Sequence, residues 1–96
     1  MHQLDWERVR TRFTLNPVSR TKNGKPFKVS KITDSAIYID LPCGEQSVSR
    51  AFLEKAVDLI NEGKIIEGPA DYKRLVYDER PSYAWAILRD LGFIKE

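Results

Sequence analysis

Apolar residues in the middle of this chain change from alternating to helical spacing, and that change decides the fold class. Phe27-Lys28-Val29-Ser30 alternates apolar with polar, and Ala36-Ile37-Tyr38-Ile39-Asp40-Leu41 does so more cleanly. A period of two marks a strand with one buried face, so Ile37, Ile39 and Leu41 should face a core with Tyr38 and Asp40 opposite. Ile32 falls out of phase with Phe27 and Val29, which predicts a bulge near Lys31 or a strand covered on both faces. From residue 50 the spacing becomes helical: Phe52, Leu53, Ala56, Val57 and Ile60 form one stripe over Arg50 to Glu62. Ser49 is the expected N-cap, Val48 can close over Leu53 as a hydrophobic staple, and Gly63 supplies the left-handed residue that ends many helices.

The remaining segments follow the same rules. Trp6, Val9 and Phe13 predict a first helix over Leu4 to about Phe13, and Asn23-Gly24 within Thr21–Pro26 predicts a hairpin turn. Pro42-Cys43-Gly44-Glu45 reads as a loop, and Gln46 to Val48 as a brief last strand. Gly68-Pro69 can open a short helix that buries Tyr72, Leu75 and Val76, and Pro81 can open the last one, which carries Ala84, Ile87, Leu88 and Leu91 before Gly92. Strands followed by helices, without strand–helix alternation, indicate an α+β fold: a small antiparallel β-meander of three or four strands packed by about four helices.

At 96 residues the chain suffices for one domain, residues 1–96, with one core. Apolar residues at 42% and ten aromatics supply that core and argue against disorder. There is no apolar run long enough to span a bilayer, and the opening Met1-His2-Gln3-Leu4-Asp5 lacks the apolar centre of a secretion signal, so no membrane partner and a cytoplasmic address are expected. One cysteine, Cys43, and one histidine, His2, cannot build the usual zinc frameworks, and no cofactor is implied.

The most informative feature for function is the distribution of charge. Residues 1–31 carry eight Arg and Lys side chains against two acidic ones, whereas residues 32–96 carry eight against twelve. From Arg8 to Lys31 there is no acidic residue. Clustered cations release counterions on meeting phosphates, the main source of sequence-independent affinity for DNA or RNA. The expected nucleic-acid-binding set is Arg8, Arg10, Arg12, Arg20, Lys22, Lys25, Lys28 and Lys31, with Asn23 as a neutral donor and Tyr38 as a stacking platform on the side of Lys28. The competing expectation is that these cations pair with acidic helices of the same domain or stay solvated.

Other constellations carry less. Tyr72, Tyr77, Tyr83 and Trp85 concentrate near the C-terminal end, where packing explains them better than base stacking. A helix-turn-helix reading of the last two helices fails on charge: residues 69–92 hold four basic and four acidic groups, and the final helix is expected to expose little beyond Ser82, Ala86, Arg89 and Asp90. Glu62-Gly63-Lys64 mimics part of a nuclease signature but falls where a helix ends, and Cys43 has no histidine in predictable reach. An autonomous enzyme is not expected.

Pro26-Phe27-x-Val29, the Ala36–Ile39 strand, Val48-Ser49-Arg50-x-x-Leu53-Glu54-x-Ala56 and Ser82-Tyr83-x-x-Ala86-Ile87-Leu88-x-x-Leu91 together resemble small uncharacterised prokaryotic domains that accompany restriction-type or HNH nucleases and helicase-like NTPases. The likeness spans about Pro26 to Ile94. It implies an accessory role in DNA transactions or defence, with no functional residue to carry over. The expectation is therefore a nucleic-acid-binding accessory module; the alternative is a protein-interaction or self-associating module, as a homodimer or within a larger complex.

Overall fold

A computed structural model of the chain describes residues 3–42, 44–76 and 81–94. His2, Cys43 and Tyr77 lie outside them. The order is α1 (Trp6–Leu15), β1 (Val18–Arg20), β2 (Pro26–Ile32), β3 (Ala36–Leu41), β4 (Gly44–Ser49), α2 (Arg50–Asn61), α3 (Pro69–Val76) and α4 (Pro81–Asp90). The strands form one antiparallel sheet in sequence order, β1-β2-β3-β4, so the fold is α+β with a four-stranded meander.

Alternation gives the sheet two unlike faces. Ser19, Phe27, Val29, Ile37, Ile39 and Val48 are buried on the inner face, where the helices cover them. Arg20, Lys28, Lys31, Asp40 and Glu45 are exposed on the outer face, and Tyr38 is half-buried there. The change of phase at Ile32 is resolved by a bulge: the register with β3 shifts between Val29 and Lys31, so that Lys31 faces outward opposite Tyr38 and Ile32 returns inward opposite Ile37. The Ser30 hydroxyl at the bulge lies 2.9 Å from the Glu45 carboxylate and 3.2 Å from the Tyr38 carbonyl.

α1 starts at Trp6 rather than Leu4 because Asp5 caps it, accepting from the Glu7 N–H at 3.1 Å. β1 begins only at Val18, opposite Lys28, so β2 has no neighbouring strand on that side beyond the bond from the Val29 N–H to the Pro17 carbonyl. α1 covers the gap. Its Trp6 indole N–H donates to the Thr33 carbonyl at 2.7 Å, and Arg10, one turn on, donates to the Ile32 carbonyl at 3.3 Å. The far end of that sheet edge, at Ile32 and Thr33, is thus tied to α1.

α2 departs from expectation at its N-terminal end. Ser49 is the N-cap residue but its side chain makes no capping bond; the Arg50 N–H instead donates to the Ser35 carbonyl at 2.8 Å, because Ser49 still pairs with Ala36 in the sheet. Phe52, expected in the core, is 38% exposed, while Leu53, Ala56 and Val57 are buried. The C-terminus is closed as the sequence predicts, with Gly63 at φ +92° and bonds from Gly63 N to Ile60 O and from Lys64 N to Leu59 O. Gly92 closes α4 by the same pattern, through Gly92 N to Arg89 O and Phe93 N to Leu88 O. The helix also buries Ala86, expected outside: Ala84 to Leu88 are all fully buried, so α4 is a core helix on every side of its middle turn.

α3 is tied at its start by Asp71, whose carboxylate accepts from the Glu67 N–H at 3.1 Å and from Arg74 at 3.2 Å. The Glu67 bond, then Arg74, holds the Asp71 carboxyl below its ordinary value of 3.8 against the opposing effect of burial. A depressed carboxylate adds stability above its unfolded value and loses it as pH falls through the folded one. Thermal melts of the wild type and Asp71→Asn should therefore differ at neutral pH and converge as the pH falls through the lowered folded-state value.

Candidate nucleic-acid interface

The three arginines of α1 divide between two flanks. Residues advance about 100° each around a helix, so Arg8 and Arg12, four residues apart, neighbour each other while Arg10 points away from both. Trp6, Val9 and Phe13 define the buried stripe; Arg10 and Arg12 leave it on opposite flanks and Arg8 lies beyond Arg12, exposed. Arg10 pairs with Asp34 at 2.5 Å and reaches Glu7 at 3.7 Å. Arg12 donates to the Asn16 carbonyl at 2.5 Å, reaches Asp90 at 3.5 Å and lies over the Phe13 ring. Two of the eight expected cations are thus held by acidic groups of the same domain.

The β1–β2 connection runs over Thr21–Lys25, closed by a bond from Thr21 N to Lys25 O at 2.9 Å, with Gly24 at φ +87°. The expected turn is present, closed by the Gly24 N–H donating to the Thr21 carbonyl at 2.9 Å with Lys22 and Asn23 at its centre, and Gly24 takes the positive φ. Asn23 and Lys25 are exposed on it. Lys22 is in the turn but its side chain folds back: its ammonium donates to the Glu67 carbonyl at 2.9 Å and sits 5.7 Å from the centre of the Trp85 ring. Gly68 makes room for it, since a Cβ there would meet the Lys22 ammonium at 3.0 Å.

What does come together is Arg20, Lys28, Lys31 and Tyr38, on the outer face of three adjoining strands. Val18 pairs with Lys28 and Arg20 with Pro26, which places Arg20 and Lys28 diagonally across the β1–β2 ladder. Lys31 stands opposite Tyr38, its ammonium 4.6 Å from the ring centre. Neither β1 nor β2 carries an acidic residue. The carboxylates of this face, Asp40 and Glu45, belong to β3 and β4, where Asp40 is opposite both Lys28 and Glu45 in register. The face is therefore cationic on one side and anionic on the other.

Two depressions flank the α1–β1 junction. One, of about 420 Å³, lies between α1 and β2 and is walled by Arg10, Thr14, Lys28, Ser30 and Lys31. The other, of about 370 Å³, lies between α1, β1 and the end of α4 and is walled by Arg12, Asn16, Arg20, Arg89 and Asp90. Arg89 is the cation that sequence reasoning missed. Its place beside Arg12 and Arg20 depends on α4 crossing to β1, and no local pattern signals that.

Among the described residues no three His, Cys, Asp or Glu side chains gather as a metal ion would require, and no helix is long and apolar enough to cross a membrane. No protein-family model, curated protein or solved structure matches the chain.

Proposed function

We propose that the protein is a nucleic-acid-binding accessory module that holds a single strand across the β1–β2 half of its open sheet face. Arg20, Lys25, Lys28 and Lys31 contact phosphates, Asn23 adds a neutral donor, and Tyr38 offers its ring to a base once Lys31 moves to a phosphate. The observation that carries this reading is the placement of Arg20, Lys28 and Lys31 on one open face of two strands that have no acidic residue. A flat sheet with an outward aromatic suits unpaired bases, whereas α4, buried around its middle turn, has no face to lay in a major groove. The resemblance to domains that accompany nucleases and helicase-like NTPases fits such an accessory role in DNA transactions.

Fluorescence anisotropy of labelled single- and double-stranded DNA and RNA over a salt series tests it. About four phosphate contacts on a single strand give a slope of log affinity against log salt near −3, which should flatten almost completely in a Lys25, Lys28, Lys31→Glu variant. Lys22→Gln should leave the slope unchanged, because that ammonium is already engaged. Absence of binding at low salt would overturn the proposal.

A second reading rests on the split charge of the same face. Two copies stacked about a two-fold axis would set the cations of β1–β2 against Asp40 and Glu45 of the other copy. Sedimentation then shows a dimer that dissociates with salt and in the same triple variant, with no response to nucleic acid.

A further inference from the structure

The two margins of the sheet are finished differently. On the β1–β2 side, Trp6, Arg10 and Arg89 donate to the Thr33, Ile32 and Arg20 carbonyls, so helix side chains occupy that margin. β4 forms the other one. Because the Arg50 N–H donates to the Ser35 carbonyl, bonded pairs recur at every second position: Val48, Gln46 and Gly44 bond toward β3, while Glu45, Ser47 and Ser49 turn their backbone N–H and C=O groups outward. Among the described residues nothing bonds to those outward groups, except that the Ser49 carbonyl opens α2. β4 also lacks the devices that keep sheet edges apart: over Gly44–Ser49 it has no lysine, no proline and no bulge. Glu45 is its one charge, and the Ser30 hydroxyl, at 2.9 Å, holds that carboxylate back across β3, away from the edge. Phe52, a large apolar side chain left exposed, lies within one helical turn of the end of the strand.

We propose that β4 pairs antiparallel with β4 of a second copy, joining the two sheets into one. A two-fold axis at Ser47 makes the strand its own complement. Ser47 exchanges both bonds with its counterpart, each Ser49 N–H reaches the Glu45 carbonyl of the other copy, and Gln46 stands opposite Val48. Each Glu45 then faces a serine, and the two carboxylates lie roughly 13 Å apart along the strands. That is beyond the screening length of exposed charges at physiological salt. The start of each α2 meets the Gly44 end of the other strand, which gives Phe52 a neighbour. A second copy meets all these conditions by symmetry, whereas a foreign strand meets them only by a matching sequence. The interface leaves Arg20, Lys28 and Lys31 uncovered and does not rest on the nucleic-acid reading.

Sedimentation over a concentration series should show a reversible dimer that persists at high salt, because the bonds that hold it carry no net charge; the face-to-face dimer considered above dissociates there. Ser47→Lys sets two ammonium groups opposite each other on the axis and should weaken association about fivefold. Ser47→Pro should abolish it, and since the Ser47 N–H points outward the monomer's own ladder loses no bond. The circular dichroism of dilute Ser47→Lys should match the wild type, which separates lost pairing from lost folding. On dilution of the wild type the Ser47 amide should exchange faster, while the Gln46 amide, bonded within the sheet, does not. The Lys25, Lys28, Lys31→Glu variant should remain a dimer. A monomer at every concentration overturns the interface and leaves the proposed function standing, and a dimer that both Ser47 variants leave intact overturns it as well.

Discussion

Trp85→Ala should destabilise the protein by about 3–5 kcal/mol, a large part of the roughly 5–15 kcal/mol that holds a domain of this size together. Trp85 is fully buried in the middle of α4, so truncation removes the largest of the fully buried side chains and leaves a cavity that Ala84 and Ala86 are too small to fill. Two cations also lose a ring, Arg89 at 5.4 Å and Lys22 at 5.7 Å from its centre. Trp85→Phe should behave differently. The indole N–H finds no hydrogen-bond acceptor among the described residues, so its removal forfeits no bond and the cost stays below about 1.5 kcal/mol. The second tryptophan supplies the contrast, because Trp6→Phe deprives the Thr33 carbonyl of its donor and adds about 1–2 kcal/mol to the loss of ring area. Urea unfolding of the three variants checks the order. A Trp85→Phe cost equal to that of Trp6→Phe would contradict the absence of a partner.

Asp90→Ala should cost about 2–4 kcal/mol, somewhat less than breaking a fully buried pair because the carboxylate keeps 15% exposure. The loss is shared among three partners: Ser19, 5% exposed, is left without its acceptor, and Arg12 and Arg89 are left facing each other. Ser19→Ala alone should cost about 1 kcal/mol, and the double variant less than the two together, since each removes the same bond. Thermal melts of the four-member cycle measure that shortfall. Additive costs would mean that Ser19 and Asp90 act independently.

Local signals carried most of the fold. Alternation in 36–41 placed Ile37 and Ile39 inside and Tyr38 outside, the phase change at Ile32 announced the bulge, and Gly63 and Gly92 marked helix ends that the backbone closes as expected. Each is a property of a few consecutive residues. What failed depended on residues far apart in the chain. Ser49 makes no capping bond while it is still a strand residue paired with Ala36, and Ala86 was buried because α4 is packed on all sides. The site was legible as composition and not as placement. The acid-free run from Arg8 to Lys31 is visible in the sequence, yet Asp34 and Asp90 hold Arg10 and Arg12, Lys22 is drawn to Glu67 and Trp85, and Arg89 arrives from the other end of the chain.

Because the strands lie in the sheet in the order they leave the ribosome, each hairpin can close as soon as its two halves exist, with little entropy spent on long loops. The Ser19–Asp90 and Arg12–Asp90 links are of another kind, since they join the opening segment to the end of α4 and cannot form until almost the entire polypeptide is in place. The corner where α4 meets α1 and β1 is therefore among the last features to assemble, and it fastens the two ends of the fold only in molecules that have nearly finished folding.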